Sequence, residues 1–167
     1  MAAGLIEMTV ESVRVHTLST QHVVILKEMA RDRYLPIWIG PWEANAIALK
    51  LQGVSPERPL THDLFASALG ELGVRVERVV IAALAEETFH ARLILRSDGR
   101  LLEIDSRPSD AIALAVRCQA PIFAADDVIE ESSIEFEHEV EDQEEVVERF
   151  KDFLDEVSPE DFASEEG

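Results

Sequence analysis

The chain holds one cysteine, Cys118, so no internal disulfide can staple it. No apolar run approaches the roughly 20 residues that a membrane-spanning helix requires, so no helical span is expected. The opening M-A-A-G-L-I-E-M-T-V has neither the basic start nor the apolar centre of a secretory signal, and a cytoplasmic protein is expected. There is no Gly-rich phosphate loop, no nucleophile elbow, no H-E-x-x-H and no paired Cys/His spacing. Those absences argue against P-loop chemistry, a serine hydrolase of the elbow type, a zinc protease and a zinc finger, and no organic cofactor is expected. Nothing repeats at a solenoid period.

What is present begins with charge. The net charge is −19, and it is unevenly spread. Residues 1–124 carry 15 acids against 13 bases, whereas 125–167 carry 19 acids against 2 bases. The body is nearly neutral and can hold a local basic patch. The acidic quarter would repel nucleic acid wherever it lies close, or attract a basic protein partner. Its length of 167 residues and 47% hydrophobic content suit one domain with an appendage: a body over 1–130, then an acidic connector, an amphipathic helix and a tail over 131–167.

Periodicity gives the order β-β-β-α-α-β-β-β-α-β-α, an α+β class with a mixed, mostly antiparallel sheet. Residues 5–16 alternate, but the parity shifts between Val10 and Val13, which predicts a bulge near Glu11–Ser12. Residues 22–29 and 34–39 follow as strands, joined to the first through a turn at Ser19-Thr20-Gln21, with Pro36 marking an edge or a strand end. Pro41 suits a first helical position after Gly40, with Ala44, Ile47, Ala48 and Leu51 facing inward. A second helix is expected over 61–72, capped by Thr61, with Phe65, Ala68, Leu69 and Leu72 inward. Strands follow over 74–84 (half-exposed early, buried late), 88–96 and 101–105, with Ser97-Asp98-Gly99 as a hairpin turn. An apolar helix over 108–118 and a short strand over 121–124 close the body. Val146, Phe150, Phe153 and Val157 then form an apolar helical stripe.

Three helix starts carry the chemistry. Glu43 stands at the third helical position, where it can reach back to the Gly40 N–H. Arg58-Pro59-Leu60-Thr61-His62-Asp63 places a histidine and an acid in a first turn, and Arg58 is available for a phosphate. Asp105-Ser106-Arg107-Pro108-Ser109-Asp110 places Pro108 at a helix start with Asp110 complementing the dipole. Capping does not explain Arg107, because a cation near a helix N-terminus is mildly unfavourable. Either a carboxylate partner offsets it, with Glu43, Asp63, Asp105 and Asp110 in reach, or it holds a phosphate. If the three starts converge, Glu43, Asp63, Asp105 and Asp110 are candidate ligands for Mg²⁺ or Mn²⁺, and His62, Asp63 and Asp110 candidate catalytic groups. His16, His22, His90 and His138 are isolated and read as strand or surface residues, and Cys118 as an inert thiol.

The stretches L-P-I-W-I-G (35–40), E-A-N-A-I-A (43–48), R-P-L-T-H-D-L (58–64), F-H-A-R (89–92) and I-D-S-R-P-S-D-A-I-A-L-A (104–115) resemble the bifunctional nuclease domain family. They follow that family's order and spacing over roughly residues 5–130. The ending from Phe150 to Phe162 is similar to the extension of many bacterial members. The resemblance implies a strongly curved mixed sheet, an oligomer (a dimer first of all), and nuclease activity on DNA and RNA. Two functions follow for test: a divalent-metal-dependent nuclease, with Arg107 and Arg58 on phosphate, or a non-catalytic oligomeric scaffold whose charged helix starts form an ion-pair network.

Overall fold

A computed structural model describes residues 4–15, 21–135 and 143–156. The expected turn at 19–21 falls largely outside them, as do the tail beyond 156 and most of the acidic connector. In chain order the elements are β1 (Leu5–Val15), β2 (His22–Glu28), β3 (Arg33–Ile39), α1 (Pro41–Leu51), α2 (Thr61–Glu71), β4 (Arg75–Ala85), β5 (Thr88–Ser97), β6 (Arg100–Ser106), α3 (Pro108–Cys118), β7 (Ile122–Ala125), α4 (Asp126–Ser132), β8 (Ile134–Glu135) and α5 (Gln143–Glu156). The class is α+β, as expected. One eight-stranded open sheet runs β6-β5-β4-β7-β1-β2-β3-β8. Among the described residues only the β4–β7 contact is parallel. The end strands are β6 and β8.

Local chemistry sets the boundaries. Pro41 and Pro108 open α1 and α3, where a missing N–H costs nothing. Asp98 and Gly99 both take positive φ, as a two-residue hairpin turn between β5 and β6 demands. The β1 ladder slips between Val10 and Ser12, where alternation breaks in the sequence. Pro36 pairs across to Ile25, and on its other side β3 meets β8 only at Arg33 and Tyr34, so the proline occupies an open flank.

The core lies between the sheet and α3, which rests on β4 and β5 with α1 and α2 packed over it. That sandwich explains why α3 is buried all round, from Ala111 to Ala115. Its alternate alanines let neighbours approach, while Ile112 and Leu114 each contribute about 1.5–3 kcal/mol of burial. The opposite face of β2 carries a smaller cluster: Val23 and Ile25 meet Phe150 and Leu154 of α5. Tyr34 and Phe150 stack edge-on at 6.3 Å. Phe150, Phe153 and Leu154 thus use the predicted stripe; the side chains of Val146 and Val157 lie outside the described residues.

Five expectations need correction. Helix α4, at the end of the body, and strand β8, in the connector, were not expected, because Val128 and Ile129 alone are buried within a run of acids. The cap of α2 is Leu60, and Thr61 is already helical. In α2 only Leu69 is buried, while Phe65 and Leu72 are exposed. Leu51 of α1 is also exposed, and Ala46 takes a buried place instead. Strand β4 is buried in its middle, and its end runs out past the core toward the Glu86–Glu87 turn.

Candidate active site

All three charged helix starts lie on the α1–α2–α3 side of the sheet, and two arginines sort their carboxylates. Arg107 is the N-cap of α3. Its Nε donates to Asp110 Oδ2 at 2.7 Å and its Nη2 to Glu43 Oε1 at 3.0 Å. Glu43 also folds back over Gly40, so closely that a Cβ at Gly40 would meet its carboxylate. A side chain at Gly40 would push the flexible Glu43 carboxylate aside, away from its place beside Arg107. The guanidinium pKa is raised, first by the Asp110 hydrogen bond.

Asp110 holds a second partner. Its Oδ1 lies 2.9 Å from His62 Nε2. Burial acts to raise the Asp110 pKa, but the hydrogen bonds from Arg107 and His62 outweigh it and the net shift is downward. An ionised carboxylate can only accept, so His62 Nε2 carries the proton and Nδ1 is left with the lone pair in the neutral ring. Glu43, Arg107, Asp110 and His62 thereby form one chain of contacts across α1, α2 and α3.

The chain borders a groove of about 880 Å³ between α2 and β6. Trp42, Leu60, Phe65 and Ile104 supply its apolar wall. Asp105 also reaches the groove, yet it is held by Arg92 Nη1 at 3.2 Å. Arg107 has five N–H donors and its contacts use two, with 66% of the side chain exposed.

Asp63 turns the other way. Its Oδ2 accepts the Leu60 N–H at 3.0 Å, closing the start of α2, and its Oδ1 accepts Arg117 Nε at 2.7 Å. Arg117 is only 4% exposed. It also donates to the Ala113 and Ala46 carbonyls, at 2.9 and 3.0 Å. Burial acts to raise the Asp63 pKa, and the Leu60 N–H and Arg117 bring it below the usual range. Asp63 is therefore spatially apart from the His62–Asp110 pair despite adjoining it in sequence. Arg58 is exposed in the loop before α2 and does not line the groove.

The four carboxylates expected to gather around Mg²⁺ or Mn²⁺ are thus distributed over three guanidinium groups. Among the described residues no three His, Cys, Asp or Glu side chains are grouped so as to hold a metal ion. The donor types suit such a cation; their arrangement does not fit one. Arg117 was not singled out for this region by its sequence context, and Trp42, beside Glu43 at the start of α1, reads there only as a core or interface residue. Arg117 looks like an ordinary basic last turn; Trp42 is 82% exposed, which excludes the core reading and leaves the interface one.

Comparison with known proteins agrees with the motif reading. The model of the Bifunctional nuclease domain matches residues 24–137. The chain is 43% identical over 162 residues to an uncharacterized protein of Mycobacterium tuberculosis, covering 93% of this chain and 97% of that one. It is 27% identical over 113 residues to Bifunctional nuclease 1 of Oryza sativa subsp. japonica, covering 65% of this chain and 34% of the plant protein. It is 29% identical over 103 residues to Bifunctional nuclease 1 of Arabidopsis thaliana, covering 60% and 32%. No described helix is long and apolar enough to cross a membrane. The match of the domain model over most of the body, on the residues that build this groove, places the chain in the bifunctional nuclease domain family.

Proposed function

We propose that the chain hydrolyses phosphodiester bonds of DNA and RNA in the groove between α2 and β6. The observation that carries this reading is the His62–Asp110–Arg107 arrangement on an open wall. Asp110 orients the imidazole and stabilises its protonated form. Arg107 offers its remaining N–H groups to a phosphate, and its fork suits two phosphate oxygens. His62 Nδ1 takes a proton from water, the water oxygen attacks phosphorus, and the P–O bond to the leaving sugar oxygen breaks. The imidazolium then returns the proton to that oxygen. On RNA the 2′-hydroxyl is a second available nucleophile; on DNA it must be water. A cytoplasmic setting is consistent with the lone cysteine.

A second reading has its own support. Both Nε and Nη2 of Arg107 are engaged by carboxylates, as a purely structural ion-pair network would have them. The protein would then be a non-catalytic scaffold, with its acidic segment binding a basic partner.

Cleavage assays on the full chain separate the two. Single- and double-stranded DNA and RNA are incubated with the protein plus Mg²⁺, Mn²⁺ or EDTA. Cleavage is expected, with a loss of roughly 10²–10⁴-fold in folded His62→Ala and Asp110→Asn variants, the usual scale of general-base catalysis. No cleavage of any substrate, or cleavage untouched in both variants, sinks the catalytic reading. A strict need for Mg²⁺ or Mn²⁺ would mean that Arg107 leaves Glu43 and Asp110 in the active state.

A further inference from the structure

Arg107 also lines a second cavity, of about 200 Å³, between the end of β3, the β4–β5 turn and the start of α3. Ile37, Trp38, Ile39 and Phe89 supply its apolar wall, and Glu87, Thr88 and Ser109 its polar side chains. Ser109 is only 5% exposed. Among the described residues its hydroxyl has no hydrogen-bond partner. Polar groups so deeply placed are nearly always bonded, so this one calls for a partner that the chain does not supply. Arg107, the N-cap, sends no side-chain bond back to α3, so the N–H groups of the first turn gain no partner from it either. The rim carries a second anomaly. Ala85 pairs with Thr88, so Glu86 and Glu87 are the whole turn between β4 and β5, and both take positive φ, 52° and 62°. Turn geometry alone selects Asn-Gly there; this chain has two glutamates.

We infer that this cavity takes one unpaired nucleobase of a single strand whose phosphate lies on Arg107. The donors at the start of α3 would by themselves suit an anion, but Glu87 lines the same small space and its carboxylate repels one. A flat, neutral ring with a polar edge satisfies both. Its faces meet the aromatic wall, its acceptors meet the Ser109 hydroxyl, and its N–H groups meet the Glu87 carboxylate, which can only accept. Size agrees: a cavity of about 150 Å³ takes benzene, whereas drug-sized ligands need roughly 300–1,000 Å³. One ring system therefore fits, and a larger ligand does not. Arg107 borders both the groove and this cavity, so a phosphate on its free donors has a base within reach of the cavity. A base inside a duplex is stacked and paired and would have to leave the helix to enter, which favours single strands. The inference rests on the Arg107–phosphate contact of the proposed function, not on hydrolysis itself.

The test measures binding by the full chain, read before any cleavage accumulates. The probes are a short single-stranded DNA and the same backbone without its bases. The wild type is expected to bind the intact strand about 10-fold more tightly, the scale of one stacked base. Thr88→Trp, which fills the cavity from an exposed position, is expected to weaken the intact strand about 10-fold and to leave the abasic strand unchanged. Ser109→Ala is expected to weaken the intact strand alone, by about 3-fold, the scale of one hydrogen bond. In Trp42→Phe the single remaining tryptophan is Trp38. Its emission is expected to be quenched by the intact strand and not by the abasic one, and this measurement decides the matter if Thr88→Trp does not fold. Equal binding of the two strands by the wild type overturns the proposal, as does binding of neither. A folded Thr88→Trp that weakens both strands alike, or neither, overturns it too, as does Trp38 emission that is the same with both. A chain that shows these differences and never cleaves loses the catalytic reading and keeps the base site; a chain that cleaves without them loses the base site alone.

Discussion

Arg107 and Arg117 bracket the same helix, and each engages a carboxylate at 2.7 Å through Nε. One is 66% exposed and the other 4%. Arg117 spends its donors on Asp63 and on two backbone carbonyls, tying α1, α2 and α3 into one layer. Arg107 keeps donors to spare at the edge of a groove. Equal contact geometry therefore serves different ends: burial turns one pair into a fastening, and exposure leaves the other available to a ligand.

Arg117→Ala is the change that should separate them most. Breaking a buried pair costs about 3–5 kcal/mol, and the partial exposure of Asp63 lowers the expectation to about 2–4 kcal/mol. Urea unfolding should report that loss, and melting should fall by roughly 5–15 °C for a chain of this length. Arg107→Ala should cost no more than about 1 kcal/mol, the scale of exposed pairs, while removing cleavage. Equal melting of the two variants would dissolve the distinction.

How far this was legible varies residue by residue. Pro41, Pro108, the Asp98-Gly99 turn and the β1 bulge announce themselves, because each is a local backbone requirement. Arg107 was legible as a cation in need of an offset, since capping left it unexplained, but which of Glu43, Asp63, Asp105 and Asp110 would supply it was not. Which way Asp63 turns was not legible: its partner stands 54 positions away, and no local pattern reports such a distance. Helix α4 was hidden because two buried residues cannot establish a period. The α2 stripe was legible as apolar, but its cover in the single chain was not.

Acid should act on the buried fastening next. The folded-state pKa of Asp63 lies below that of an unfolded aspartate, about 3.9. Its contribution is then fully present above about pH 4 and fades as the pH falls through the lower folded value. The stability gap between wild type and Asp63→Asn should be constant from pH 7 to about pH 5 and shrink below pH 4. A gap that persists unchanged in acid would mean that charge on Asp63 is not what Arg117 responds to. For Asp110→Asn the same gap should be smaller, because Arg107 is bathed in solvent.

The smallest effect concerns the net charge of the acidic C-terminal quarter. Residues 125–167 hold 19 acids against 2 bases, while the body that carries the groove is close to neutral. A phosphate approaching Arg107 meets one guanidinium already shared by two carboxylates. Any further negative field raises the cost of that approach, over a range of about 10 Å at 0.1 M salt. Changing Glu137, Glu139 and Glu141 to Gln should therefore tighten oligonucleotide binding a few-fold at low ionic strength, and the gain should vanish by about 0.5 M salt. Arg117→Ala, measured on protein that remains folded, should not mimic this gain, because its charge is sequestered on Asp63. Unchanged affinity in the Gln variant at low salt would show that the acidic run does not screen the groove, and that the exposed arginine is limited only by its own two carboxylates.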